Sequence, residues 1–85
     1  MTPYTIRFTK VAAKDVVKLP PRLKDKLKIV LLQQVAPNPL CGKKLVGDLA
    51  GFFSLRLSYK DRLVYSIDEE RRIVYVHRAR THYGE

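Results

Sequence analysis

Residues 53–67, FSLRLSYKDRLVYSI, have the pattern of two neighbouring strands around which the fold can be predicted. Over residues 53–58, apolar residues alternate with serines and an arginine, which is the period of a strand with one buried face. Residues 62–67 are rich in β-branched and aromatic residues, and the intervening polar turn is short enough to pair the two segments as antiparallel strands. Another polar turn precedes a third strand signal at residues 73–80. Together the three segments predict an antiparallel meander.

One strand and two helices are predicted upstream of the meander. Residues 4–8 alternate with period two and form the strand. Thr9 is a suitable N-cap for a helix over residues 10–18, and the Pro-Pro pair at 20–21 ends that helix because the residue before a proline avoids the α region. A second helix is expected from about residue 22 to 35. We therefore expect an αα-hairpin.

Each helix has an apolar stripe that predicts its buried face. On the first helix the stripe consists of Ala13, Val16 and Val17. On the second helix it consists of Leu23, Leu27, Val30, Leu31 and Gln34. The hairpin buries these stripes by covering one face of the sheet, which leaves the other face open.

Residues 36–51 carry three glycines and two prolines, so they are expected to be mostly loop, with a short strand around residues 44–46. The predicted fold class is α+β: an N-terminal strand, a helical hairpin, and a three- to four-stranded, mainly antiparallel sheet with the helices on one face.

Length and charge limit the function. The 85 residues form one domain, 1–85, with a formal net charge of +9. Such a positive field indicates nucleic acid, an anionic membrane or an acidic protein as partner. There is no apolar run of membrane-spanning length, and neither Cys–His spacing nor carboxylate clustering indicates a metal site. The single cysteine, Cys41, fits a reducing cytoplasm; between Leu40 and Gly42 it is expected to be buried or half-buried.

Arginines and lysines cluster around the predicted sheet. Arg56 and Arg62 flank a short turn, so they are expected within a few ångströms of each other, and the planar fork of arginine suits phosphate oxygens. Further cations are Lys43 and Lys44 in the loop before the sheet and Arg78 and Arg80 on the last strand. The alternative is that these arginines are ordinary solvated residues or pair with nearby acids.

The two histidines have different surroundings. His77 lies inside an apolar strand and is expected to be a packed structural residue. His82 follows the last strand and stands beside Tyr83, so it can reach a cleft. A histidine titrates near neutral pH and a tyrosine can stack on a base. Asp48 and Asp61 are expected to form turns.

Three ordered motifs resemble the RelE/ParE superfamily of bacterial toxins, and in particular its YoeB/Txe branch. They are the run from Lys44 through "Leu-Ala-Gly-Phe-Phe-Ser-Leu-Arg" to Leu57, then "Arg-Leu-Val-Tyr" from Arg62, and the C-terminal His82-Tyr83. The resemblance covers about half of the chain. It implies the RelE-like microbial RNase fold and a ribosome-dependent mRNA endonuclease that an antitoxin holds inactive.

Roles for individual residues are implied by the same resemblance. Arg56 and Arg62 would bind the scissile phosphate, His82 would transfer a proton and Tyr83 would orient or stack the nucleotide. The YoeB pattern has a glutamate where this chain has Lys43, so the general base is left open. Lys43 and Lys44, with Arg78 and Arg80, are then expected to bind RNA, and no cofactor or metal is expected.

The implied partners are a cognate acidic antitoxin, mRNA in the ribosomal A site, and operator DNA through the antitoxin complex only. The implied place is the cytoplasm, and no membrane is involved. Two other functions remain open from the sequence: a ParE-type toxin that inhibits gyrase and cuts nothing, and a non-catalytic basic RNA-binding module.

Overall fold

Five strands and two helices make up the computed structural model, which describes residues 3–81 and only the backbone at Arg80 and Thr81. The strands are β1 (Thr5–Phe8), β2 (Lys43–Lys44), β3 (Phe52–Arg56), β4 (Asp61–Asp68) and β5 (Ile73–Thr81). The helices are α1 (Lys10–Lys18) and α2 (Pro21–Val30), and α2 continues as a π-helical turn over Leu31–Val35. No helix in this part of the chain is long and apolar enough to cross a membrane.

The strands form one sheet in the order β1-β5-β4-β3-β2. The meander of β3, β4 and β5 is antiparallel, as predicted, and β2 joins it antiparallel. The fold class is confirmed, with one addition: β1 pairs parallel with β5, which brings the sheet to five strands. A parallel pair requires a crossover connection, and here the helices together with β2, β3 and β4 lie between the two paired strands in sequence.

The helices cover one face of the sheet and bury the core against it. Buried residues from the helices meet buried residues of the three central strands. The fully buried side chains with the largest volumes are Tyr65, Leu57, Leu63, Val35, Val74 and Val76. At about 1.5–3 kcal/mol for each large apolar side chain removed from water, this layer holds the domain together.

Helix α1 begins as predicted but presents a different face. The Thr9 Oγ1 accepts a hydrogen bond from the Ala12 backbone N–H at 3.1 Å, which confirms the cap. Ala12 is fully buried, whereas Ala13 is exposed and Val17 is 73% exposed, so the predicted stripe was wrong at these two positions. The helix lies against β5, and its inner face is Ala12, Asp15 and Val16, spaced i, i+3, i+4.

The π-helical turn corrects the predicted stripe of α2. Leu27, Val30 and Leu31 are buried and Leu23 is half-buried, but Gln34 is exposed and Val35 is fully buried instead. The Ala36 backbone N–H donates to the Leu31 carbonyl, an i to i+5 bond. One extra residue in the turn rotates the chain, so the residue after the expected one reaches the core.

Candidate functional site

Three arginine positions form a row across the sheet. Arg56 on β3 is paired with Arg62 on β4, and Arg62 is paired with Arg80 on β5. Arg56 and Arg62 are both exposed, and no carboxylate in the described part of the chain forms an ion pair with either. Like charges directly opposite each other in a sheet are destabilising. Such a row is expected where the function requires an anion-binding surface.

The face that carries this row is opposite α2 and is called the arginine face. Helix α1 lies beside β5 past the end of β1, so its residues also reach the border of this face. Alternation along β3 puts Phe52, Ser54 and Arg56 on it, because Phe53 belongs to the core cluster. The pairing of Arg56 with Arg62 agrees with the expectation from the short turn.

Lys43 and Lys44 lie on opposite faces of the sheet. Lys43 is paired with Ser54, which places it on the arginine face one row from Arg56. Lys44 is paired with the buried Phe53 and therefore belongs to the helix side of this edge strand. Both are exposed. The register thus separates two lysines that the sequence treated as one group.

Tyr65 fastens the loop that leads into β2. Its hydroxyl donates to the Pro39 carbonyl at 2.6 Å and accepts from the Gly42 backbone N–H at 3.1 Å. The side chain is fully buried, and burial raises the pKa of the phenol far above its usual value. A methyl group at Gly42 would press on the Tyr65 Oη, so glycine is required there. The loop therefore delivers Lys43 in a fixed position.

Cys41 lies in the same loop and is exposed, so the expectation of a buried or half-buried thiol was wrong. Its neighbours Pro39 and Gly42 contact Tyr65 through their backbone, and the loop leaves Cys41 accessible to solvent. The thiol lies 3.6 Å from the Gln34 carbonyl oxygen.

The turn between β3 and β4 holds the two paired arginines in register. The Asp61 carbonyl accepts from the backbone N–H groups of Leu57 and Ser58 at 2.8 and 3.2 Å, and its buried carboxylate accepts from the Ser58 hydroxyl. Asp61 forms a turn, as predicted. Asp48 lies in a short 3₁₀ turn, Gly47–Leu49, and is exposed.

Arg78 is held by Asp15 of α1. The Arg78 Nε donates to Asp15 Oδ2 at 2.8 Å, and the Ala79 backbone N–H donates to the same oxygen at 3.2 Å. Because β1 ends at Phe8, opposite Val76, the carboxylate of Asp15 takes the place of a neighbouring strand beyond that point. The guanidinium of Arg78 is therefore already paired, although its side chain is 39% exposed.

His77 is packed, as expected, but its ring lies on the arginine face of the sheet and not in the core. The ladder joins Val64 to Arg78 and Tyr65 to Val76, so His77 is the extra residue of a β-bulge. Its ring stacks on Phe52, with centroids 4.7 Å apart and planes 9° apart, and its Nε2 lies 2.8 Å from the Ser66 hydroxyl. Burial lowers the pKa of His77 below its ordinary value of 6.5. The imidazole is therefore neutral at pH 7.

His82 and Tyr83 lie outside the described residues, so their predicted roles stay predictions. In residues 3–81 no group of three or more histidine, cysteine or acidic side chains is placed to hold a metal ion. One face of the sheet thus carries Arg56, Arg62 and Lys43 and, farther along the strands, the stacked rings of Phe52 and His77. Cations of this kind can bind a phosphate group, and an aromatic stack can accept a base.

Comparisons with known proteins agree with this geometry. The family model described as "ParE-like toxin of type II bacterial toxin-antitoxin system" matches residues 6–84. The chain is 42% identical over 78 residues to Toxin RelG of Mycobacterium tuberculosis, covering 91% of this chain and 88% of that protein.

Solved structures show the same fold. The toxin–antitoxin complex RelBE2 from Mycobacterium tuberculosis superimposes with a TM-score of 0.85 at 40% identity, over 93% of this chain and 98% of that one. The intact E. coli RelBE toxin–antitoxin complex gives a TM-score of 0.79 at 25% identity, over 92% and 95% of the two chains.

Proposed function

The chain belongs to the ParE-like toxin family of type II bacterial toxin–antitoxin systems, and we propose that it is a ribosome-dependent mRNA endonuclease of the RelE type. The observation that carries the proposal is the row of arginine positions at 56, 62 and 80, with Lys43 one row away. A gyrase inhibitor would not require arginine positions and a lysine to gather on one face of the sheet. An enzyme that cleaves a phosphodiester does, because negative charge builds on the phosphorus oxygens in the transition state.

The proposed reaction uses the substrate's own ribose. The 2′-oxygen forms a bond to the adjacent phosphorus while the bond from phosphorus to the 5′-oxygen breaks. One group accepts the 2′ proton and another protonates the departing 5′-oxygen. The products are a 2′,3′-cyclic phosphate and a free 5′-hydroxyl, and the reaction requires neither a metal nor a cofactor.

The residues divide these tasks by position. Arg56 and Arg62 contact the non-bridging oxygens as planar forks, and Lys43 adds a point charge. His82 transfers a proton and Tyr83 stacks on the nucleotide. His77 takes no part in proton transfer, because its Nε2 is engaged by Ser66 and its burial disfavours the charged form.

The antitoxin partner would dock on the opposite side of the molecule. A groove of about 340 Å³ between β1 and α2 is lined by apolar side chains, including Phe8, which is 43% exposed, and Leu32, which is 58% exposed. Lys24 and Lys28 stand at its border. This pattern fits an amphipathic segment with acidic residues flanking an apolar stripe. Its association should slow steeply between about 50 and 500 mM salt.

The test separates the three functions that the fold can support. Purified chain is incubated with ribosomes that hold a defined codon in the A site, and separately with DNA gyrase and supercoiling substrate. Cleavage that leaves a cyclic phosphate supports the proposal. Inhibited supercoiling without cleavage identifies a gyrase toxin, and RNA binding without either effect identifies a non-catalytic module. In the proposed role the toxin acts in the cytoplasm and meets operator DNA only through the antitoxin complex.

A further inference from the structure

An open pocket of about 390 Å³ lies on the arginine face beside the bulge of β5. Its aromatic wall is the stacked pair Phe52 and His77, and the cross-strand pair Val64 and Arg78 also lines it. Its outer border is formed by Val11 of α1 and Leu49 of the 3₁₀ turn, which are 48% and 46% exposed. Apolar side chains left half exposed around a concave aromatic surface are typical of a ligand site.

Three features make this pocket rigid. Ser66 holds the His77 ring through its Nε2, and the ring lies nearly parallel to Phe52. Asp15 holds the guanidinium of Arg78. The bulge turns His77 and Arg78 toward the same face, as bulges do where a side chain must be re-aimed. A flat ligand can extend a preformed aromatic stack with little loss of conformational entropy.

We propose that this pocket binds one unpaired base of the RNA near the cleavage site, and so contributes to the choice of sequence. The proposal rests on the proposed function for its substrate. Phe52 is four residues from Arg56 on the same face of β3, which is about 13 Å along the strand. A single strand whose phosphate lies on Arg56 and Arg62 can therefore present a neighbouring base to this wall. Aromatic rings and arginine planes are the groups on which unstacked bases rest.

The chemistry of the pocket favours a base over a peptide. One more flat ring can extend the stack of Phe52 and His77, and the cations of the arginine face attract a ligand that carries phosphates. An acidic peptide could pair with the cations of the arginine face, but it would have no flat ring to stack on Phe52 and His77. Ser66 engages His77 through Nε2, so Nδ1 is the second ring nitrogen with which this lining residue could distinguish one base from another.

The chain contains no tryptophan, which supplies a direct probe. Phe52→Trp puts a single fluorescent indole in the wall, and Leu49→Trp puts one on the border, at a position that is 46% exposed. Each is titrated with a short 2′-O-methyl RNA, which cannot be cleaved, and with an abasic oligomer of the same length. Tyr59→Trp, at a position that is 88% exposed and outside the pocket, is the control.

Both pocket tryptophans should be quenched by the RNA and not by the abasic oligomer, while Tyr59→Trp responds alike to the two. Phe52→Ala should weaken binding of the RNA roughly 5- to 100-fold without affecting the abasic oligomer. Equal quenching by the two oligomers, or none, would overturn the subsite. If an acidic peptide quenched the pocket tryptophans and the RNA did not, the subsite would also be overturned and the pocket assigned to a protein partner.

The subsite and the enzymatic function can fail separately. Base-dependent quenching in a chain that does not cut ribosome-bound mRNA would leave the subsite standing and reject the nuclease. If the wild type cleaves ribosome-bound mRNA and Phe52→Ala and Leu49→Arg cleave it with the same codon preference and KM, the subsite alone is rejected.

Discussion

The Gly42 backbone N–H donates to the Tyr65 hydroxyl at 3.1 Å across 23 residues of sequence. The same hydroxyl donates to the Pro39 carbonyl. One buried phenol thus fixes both ends of the turn that precedes Lys43. The position of a surface cation in the candidate site depends on a core residue on the other face of the sheet.

Tyr65→Phe should release this loop while leaving the core filled. It removes one hydroxyl and leaves a buried carbonyl and an N–H without partners, so the free energy of unfolding should fall by about 1–3 kcal/mol. Trypsin should cut faster after Lys43 and Lys44. Urea denaturation and limited proteolysis measure the two effects, with Tyr59→Phe as the exposed control. Unchanged proteolysis would show that the phenol does not hold the loop.

Lys43→Ala should reduce cleavage more than Lys44→Ala does. Lys43 shares the arginine face with Arg56, whereas Lys44 lies on the helix side. Removing one cation beside the phosphate should lower the single-turnover rate on the order of 10-fold, and Lys43→Glu should lower it further because it adds a negative charge. A faster Lys43→Glu enzyme whose rate follows a carboxylate ionisation would show that this position still accommodates a general base.

Asp15→Ala should destabilise the domain through β5. Asp15 accepts from Arg78 and from the Ala79 backbone N–H, and Ala79 is fully buried. The unpaired N–H alone should cost about 1–3 kcal/mol of unfolding free energy. A double-mutant cycle with Arg78→Ala separates the ion pair from the backbone bond. Equal stability of Asp15→Ala and wild type would mean that water replaces the carboxylate at this edge.

Stability should fall as the pH is lowered from 7 to 5, in part because of His77. Burial lowers the pKa of the folded imidazole below 6.5, so the unfolded chain takes up a proton first as the pH falls through 6.5. Unfolding then becomes easier until the folded imidazole also titrates. His77→Gln should have a flatter pH profile of urea midpoint over this window than the wild type. Parallel profiles would show that His77 is equally easy to protonate in both states.

Much of this arrangement follows from local sequence. Period-two alternation and short turns predict the meander and the pairing of Arg56 with Arg62, and Thr9 predicts the start of α1. The place of β1 beside β5 does not follow, because a parallel pair depends on how the helices pack. The inner face of α1 was missed because a carboxylate, Asp15, is part of it.

Register and long-range contacts account for the rest. Which of two adjacent lysines reaches the arginine face depends on a one-residue choice in the pairing of β2. In the sequence pattern Tyr65 is an ordinary apolar strand residue. Nothing near it in the sequence indicates that its hydroxyl donates a hydrogen bond to the Pro39 carbonyl. The bulge that turns His77 toward Phe52 leaves no signal in the apolar pattern around it.

We infer that the arginine row stabilises the transition state of RNA cleavage. Single-turnover cleavage of ribosome-bound mRNA by the wild type, Arg62→Ala and Arg22→Ala measures this effect. Arg22 is exposed on α2, away from the row, and controls for the loss of one positive charge. We expect Arg62→Ala to be slower by on the order of 10²-fold or more and Arg22→Ala to match the wild type. Equal cleavage rates for all three proteins would show that the arginine row does not stabilise the transition state.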